Sequence, residues 1–476
     1  MSRILILVLF MLWLTWDPSQ VTTPQSLGAS TAGFLGFYAV LVLFTGICAR
    51  RLALRVAASN FQNQLKRFSW MMEAARILVP IWFAVGLFLL GWRGVVAQWL
   101  RPALFPTVLG VVVGTLPAFL AWMGLWWSQY PADRALREQS LLNLLDANLP
   151  THAPPNFRSY FFSNFRLQIL FMGIPLLLIV FGHDIAMALA RAYGLQGSTL
   201  DAVEVFAWTV SAGAVFLFAP EILRRILHTE PLGDTALRRR LDALCQRTGI
   251  RYRDILLWKT QHNMGNAAVM GFLPRLRYIL LSDLLLERMP DEEIEAVFAH
   301  EMGHIVHRHM IWYAVFVVVL AMINAGPGQW TVHELSGVFG KNAETLIACV
   351  LFIGQFLLLF GFVSRKFERQ ADVYAARTIQ LAQVSEAPTV TPGSHVGPYG
   401  AMVFASALRR VAVVNNIPIA ARSWCHGSIA TRMQYLQHLA GDASLTLGFD
   451  RVMRWLYAGI VAALVASAVG LAVLPG

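Results

Sequence analysis

The sequence predicts a mainly α, polytopic membrane protein with about eight transmembrane helices and one extramembrane α+β lobe. Three observations predict it. Of 476 residues, 57% are hydrophobic and only 14% charged, against about 25% charged in a soluble domain, and the mean hydropathy is +0.56. Apolar runs long enough to cross a bilayer recur along the chain. One long polar block, residues 221–309, interrupts them. The net charge of +11 is spread beside the apolar runs rather than gathered in a patch with stacking aromatics. It reads as a set of topology determinants, with the lipid bilayer and no nucleic acid as the expected partner.

Taken in order, residues Ile4 to Trp16 are apolar but short, about 20 Å as a helix against roughly 30 Å of hydrocarbon. They read as a short retained span or a signal-like segment. Spans are expected at 29–48, 75–92, 104–127, 167–187 and 204–220, and again at 310–325, 345–363 and 453–474. Arg50, Arg51, Arg55, Lys66 and Arg67 follow the first of these, and Arg134, Arg137, Arg158 and Arg166 follow the third. Alternate loops are poor in basic residues. The positive-inside rule therefore places the basic loops, and by parity the polar block, in the cytoplasm. The expected location is a bacterial inner membrane.

This gives five expected parts: a multi-span region 1–220, the lobe 221–309, two spans in 310–363, a second polar segment 364–450, and a last span 451–476. Within the lobe, a basic helical stretch from Glu221 to Arg247 leads into strand-like runs Asp254–Thr260, Ala267–Phe272 and Arg277–Leu281. The outermost strand can accept an extended peptide as one more ladder. A Pro/Gly-rich loop is expected over 385–400 and a helix from Ala401 to Val414. Cys48, Cys245, Cys349 and Cys425 show no metal-type spacing and read as buried thiols.

The chemistry concentrates in DEEIEAVFAHEMGHIVHRH, Asp291 to His309. Asp291 is expected to cap a helix whose first turn is acidic. Positions four apart on a helix lie about 40° apart around its axis, so the rings of His300 and His304 can converge on one metal ion, with Glu301 beside them as a general base. A catalytic zinc takes three protein ligands. The spacing HExxHxxGxxH fails here, since His307 and Met310 stand where glycine and histidine are needed, and His307 and His309 read as interfacial side chains. Glu368 in SRKFERQADVYAA is the alternative. His304 precedes one span by six residues, about 9 Å, and Glu368 follows the next by five, about 7.5 Å, so both reach one depth. An ion pair of Glu368 with Arg365 or Arg369 is the plainer reading of that residue alone.

The HEMGH helix, the SRKFERQAD segment, Asn266-Ala267 with Gly271 and YILLSDLLL, the helix ALRRVAVVNN, and His426 with Arg432 in WCHGSIATRM together resemble the membrane zinc endopeptidases. That family comprises the zinc-type CAAX prenyl endopeptidases and the bacterial heat-shock membrane peptidases. The resemblance covers about residues 220–440, and the long multi-span N-terminus looks more like the prenyl branch. It implies a zincin-like lobe with one zinc ion held by His300, His304 and Glu368, and Glu301 as base. It further implies that Asp372 orients a ligand histidine, that Asn266 and Ala267 hold substrate backbone, and that His426 and Arg432 lie near the site, His426 as an oxyanion donor. Gly427 stands where the family often has proline, and the span 453–474 is unusual for the prenyl branch. The expected activity is hydrolysis of peptide bonds in membrane-associated or lipid-modified proteins. The rivals are a receptor using a peptidase-like lobe for signalling, and a quality-control protease of misfolded membrane proteins.

Overall fold

A computed structural model describes residues 2–15, 27–56, 61–100, 106–146, 153–339, 344–384, 395–415, 417–440 and 442–473. The chain divides into two compact units, Met1–Leu227 and His228–Gly476. Among the described residues, seven helices are long and apolar enough to cross a membrane, eight if a bent pair at 291–325 counts as one span. The expected polytopic α architecture with a small sheet is borne out.

Among its described residues the first unit is built of helices: α1 Ser2–Thr15, α2 Leu27–Val56, α3 Phe61–Phe88, α4 Trp92–Trp99, α5 Pro106–Asp146, α6 Phe157–Asn164, α7 Phe171–Ala192 and α8 Ser198–Ile226. Small residues let these rods approach. A Cβ on Gly86 of α3 would sit 2.3 Å from the Phe34 ring of α2, and Thr45 and Ser128 hydroxyls meet at 3.2 Å between α2 and α5, the usual glue of helices in lipid. Asp184 of α7 accepts the Val108 N–H at 2.8 Å, satisfying one orphan donor of the first turn of α5.

The second unit begins with strand β1 Thr229–Pro231 and helix α9 Ala236–Arg247, then β2 Asp254–Trp258, β3 Ala267–Met270 and β4 Tyr278–Ser282. The sheet order is β1-β2-β4-β3, with β2 and β4 parallel and the outer pairs antiparallel. β3 therefore forms one edge. Ser282 fixes the register twice: its hydroxyl accepts from Asn266 N at 2.8 Å and caps α10 Asp283–Arg288 through Leu285 N at 3.3 Å.

Helix α11, Asp291–Val306, opens with Asp291, Glu292 and Glu293 in its first turn, carboxylates that favour the positive end of the macrodipole. It ends where Arg308 adopts left-handed φ 54°, and α12 His309–Ala325 leaves at 48°. There follow α13 Pro327–Phe339, α14 Glu344–Gln355, a π turn Phe356–Phe360, α15 Gly361–Val384, α16 Pro398–Val414, α17 Ile429–Ala440 and α18 Ala443–Val473. The core between α11, α15 and α16 holds Phe298, Phe367 and Phe404, all fully buried, each worth up to about 3 kcal/mol. Two glycines set its spacing. A Cβ on Gly303 would meet the Ala371 backbone at 2.9 Å, and one on Gly400 the Ala376 carbonyl at 1.9 Å. Glu293 fastens α16 to α11 by accepting from Ser406 Oγ at 2.7 Å and pairing with Arg410.

Several expectations change. The stretch Glu221–Arg247 is not one helix: α8 stops at Ile226, His228 takes φ 54°, and β1 intervenes before α9. Asp291 occupies the first helical position while Pro290, which has no side-chain acceptor, is the N-cap. The span expected at 75–92 ends at Phe88, because the chain turns through left-handed Gly91 (φ 69°) into α4. α16 begins at Pro398, inside the expected loop, of which 385–394 lies outside the described residues, as do Trp16 and Lys341. The four cysteines form no disulfide, Cys245 and Cys349 being buried and Cys48 and Cys425 half-buried.

Candidate active site

α11 carries His300 and His304 on one face, and α15 carries Glu368 and Asp372 on the face opposite. His300 Nε2 and His304 Nε2 lie 3.3 Å apart. Glu368 Oε2 is 3.6 Å from the first and Oε1 3.6 Å from the second. Ligands about 2.0–2.1 Å from a tetrahedral zinc are separated by roughly 3.3–3.4 Å. The donor set thus has the chemistry and the edge lengths of a His₂Glu zinc site, and these are the residues among those described that can share one ion.

Each candidate donor is braced from behind. His300 Nδ1 lies 3.0 Å from Asp372 Oδ1, and the His300 ring stacks on Phe404. Arg432 forks onto Asp372, Nε to Oδ2 at 2.8 Å and Nη2 to Oδ1 at 2.5 Å, and its Nη1 stands 3.6 Å from Glu368 Oε2. Burial disfavours the Arg432 cation, but Asp372 and Glu368 outweigh it and hold the guanidinium firmly protonated.

His304 is braced by a residue expected elsewhere. His309 is not an interfacial side chain: it is fully buried, its ring lies parallel to Phe367 with centroids 4.3 Å apart, and its Nδ1 meets His304 Nδ1 at 2.8 Å. Its Nε2 meets Gln370 Oε1 at 3.0 Å, which also accepts from Tyr457 at 2.6 Å. Five residues apart on an unbroken helix, the two rings would face apart; the left-handed Arg308 folds one back on the other. His307 stacks on His309 and is not among the donors. Replacing His309 by Phe keeps the stack on Phe367 and removes the brace. The expected result is a ten- to hundredfold weaker zinc affinity, read by competition with a fluorescent chelator, with unchanged affinity as the contrary outcome.

Glu301 points into a cavity of about 530 Å³ bordered by β3, α11 and α16. Its Oε2 accepts the Val269 N–H of β3 at 3.2 Å, which ties Glu301 to the edge strand, and burial raises its carboxyl above the ordinary carboxylate range. Asn266 and Ala267 line the same cavity. The turn before them is clamped by Asn415, whose side chain accepts from Gly265 N at 2.9 Å and donates to Gly265 O at 2.7 Å. Asn415 lies in the segment ALRRVAVVNN, and no local spacing marks it as a clamp. His426 Nδ1 lies 3.0 Å from Glu368 Oε2, so it sits against the ligand carboxylate. Its loop is closed by Ser423 and Gly427, which exchange backbone hydrogen bonds of 2.9 and 3.0 Å. Gly427 takes φ 76°, a conformation closed to the proline common at this point in the family.

Fold and site together define a class: a multi-span membrane protein whose lobe carries the donor set of a metallopeptidase. Residues 231–440 match the model of peptidase family M48, and the resemblance to the membrane zinc endopeptidases is borne out over that segment. A protease HtpX homolog of Aeropyrum pernix is 27% identical over 217 residues, 43% of this chain and 67% of that protein. A CAAX prenyl protease 1 homolog of Arabidopsis thaliana is 31% identical over 160 residues, 31% of this chain and only 38% of that protein. The crystal structure of S. mikatae Ste24p shares the fold with a TM-score of 0.50 at 15% identity, covering 85% of this chain and 97% of that one.

Proposed function

We propose that this chain is a zinc-dependent endopeptidase that cuts membrane-associated or lipid-modified proteins at the cytoplasmic face of a bacterial inner membrane. The observation that carries the reading is the triangle of His300, His304 and Glu368 donors with the Glu301 carboxylate beside it. A zinc ion held by those donors supplies the Lewis acidity that polarises a carbonyl and activates water. The chain's own groups do the rest. β3 offers its outer edge, where the Val269 N–H is held by Glu301, to an extended substrate backbone, with Asn266 and Ala267 at the start of that edge. Glu301 takes a proton from the attacking water and delivers it to the leaving amine, a role suited to a carboxyl whose proton affinity burial has raised. To His426, which lies against Glu368, we assign the steadying of the oxyanion. Arg432 and Asp372 hold Glu368 and His300 in position.

Depth supports the substrate class. Tyr313 of α12 donates to Ser364 of α15 at 3.2 Å, so the two helices lie side by side just below the donors, and the cavity opens close to the ends of two apolar rods. The positive-inside pattern supports the cytoplasmic side. In nanodiscs, a peptide tethered to the bilayer is expected to be cut at least about tenfold faster than the same peptide released from its anchor. Chelation should abolish both rates and added zinc restore them. Equal rates would reject the membrane substrate; cleavage by protein free of zinc would reject the metal.

A further inference from the structure

A second cavity, of about 650 Å³, lies on the other side of α15 from the peptidase cavity, between α15, α18 and the turn at His307. Three guanidinium groups border it, Arg377, Arg451 and Arg454, against one carboxylate, Asp450. Asp450 is committed to Arg377, with Arg377 Nη2 to Oδ2 at 2.7 Å and Nη1 to Oδ1 at 3.4 Å. Arg451 and Arg454 are exposed, and no ion pair involves either among the described residues. The cavity therefore holds an uncompensated positive charge on the rim and a fixed, forked pair at the wall.

Its depth says what kind of anion reaches it. From Trp455 to Val473, α18 carries no charged residue, about 28 Å of helix, enough to cross the hydrocarbon. Arg451 and Arg454 thus stand just outside the apolar core, and the exposed indole of Trp455 is where interfacial aromatics sit. Trp312, near the start of the α12 span, packs on Tyr457 of α18 with ring centroids 4.6 Å apart, so two spans emerge at this cavity together. A basic hollow between emerging spans matches a phosphate in its charge, in its fork-shaped donors and in its level in the bilayer.

We propose that this cavity binds the phosphate headgroup of an anionic phospholipid. Arg451 and Arg454 grip the phosphate oxygens while the acyl chains lie along the apolar flank of α18. Gln370 and Tyr457 form the inner wall, and Gln370 leads through His309 to His304. The bound lipid therefore abuts the row of side chains that braces a metal ligand.

The test reads binding and needs no turnover, so its outcome is separate from that of the peptidase reading. Full-length protein in detergent is titrated with phosphatidylglycerol or phosphatidylcholine and adducts are counted by native mass spectrometry. Phosphatidylglycerol is expected to be retained at about tenfold lower lipid concentration, and the double variant Arg451→Gln, Arg454→Gln to lose that preference. Arg247→Gln, Arg409→Gln, which removes equal charge from exposed positions away from the cavity, should keep it. Equal retention of the two lipids, or equal loss in the two double variants, overturns the proposal. Displacement of phosphatidylglycerol by inorganic phosphate alone overturns the lipid as ligand in favour of a free anion.

Discussion

Replacing Glu301 by Gln is expected to leave the zinc content of the purified protein unchanged and to lower peptide cleavage by about 10²–10⁴-fold, the range a positioned general base contributes. Glutamine keeps the shape of the side chain and can still accept the Val269 N–H that Glu301 now accepts at 3.2 Å. The three metal donors are untouched, so only proton transfer is lost. Metal analysis and single-turnover assays on one preparation separate the two effects. Cleavage at the wild-type rate would remove Glu301 from the reaction, and loss of zinc alongside activity would mean that the carboxylate holds the ion.

The second large effect is on stability. Asp372 is 1% exposed and its charge is matched by the Arg432 fork. Arg432→Met fills similar space without the charge and strands a buried carboxylate. The expected cost is about 3–5 kcal/mol, measured as a loss of thermal or denaturant stability in metal-stripped protein. Arg432→Lys restores the charge but not the two-pronged geometry and should recover only part of it. A methionine variant as stable as the parent would show that the Asp372 charge is balanced elsewhere.

The convergence of His300 and His304 could be read from the sequence because their spacing is local: four residues on an α-helix fix two rings on one face whatever the rest of the chain does. Glu368 could be reached through the lengths of two spans, since membrane depth ties residues far apart in sequence to one plane. His309 was beyond such reasoning. Its contact with His304 depends on one left-handed residue, Arg308, and a helical projection carried through that break places the ring on the wrong face. Gln370 is legible only once α12 and α15 are known to touch, and Asn415 only once α16 is docked beside the turn at Gly265. β1 is too short to show any period, so a basic run hid it, and the parallel pairing of β2 with β4 leaves no local mark. The double role of Ser282 leaves no mark in the sequence, because a hydroxyl that serves both a cap and a neighbouring strand has no spacing of its own.

On the proposed peptidase reading, the position of β3 at the rim of the sheet has a consequence for selectivity. A ladder can be extended only by a chain already free of its own internal hydrogen bonds, so a protein entering as a transmembrane helix must unravel several residues before it fits. The cost of that unwinding falls on the target, and it rises with the target's helical propensity. Discrimination among clients would then follow how easily each melts near the bilayer surface, with glycine, proline and juxtamembrane tails marking the sites that yield first.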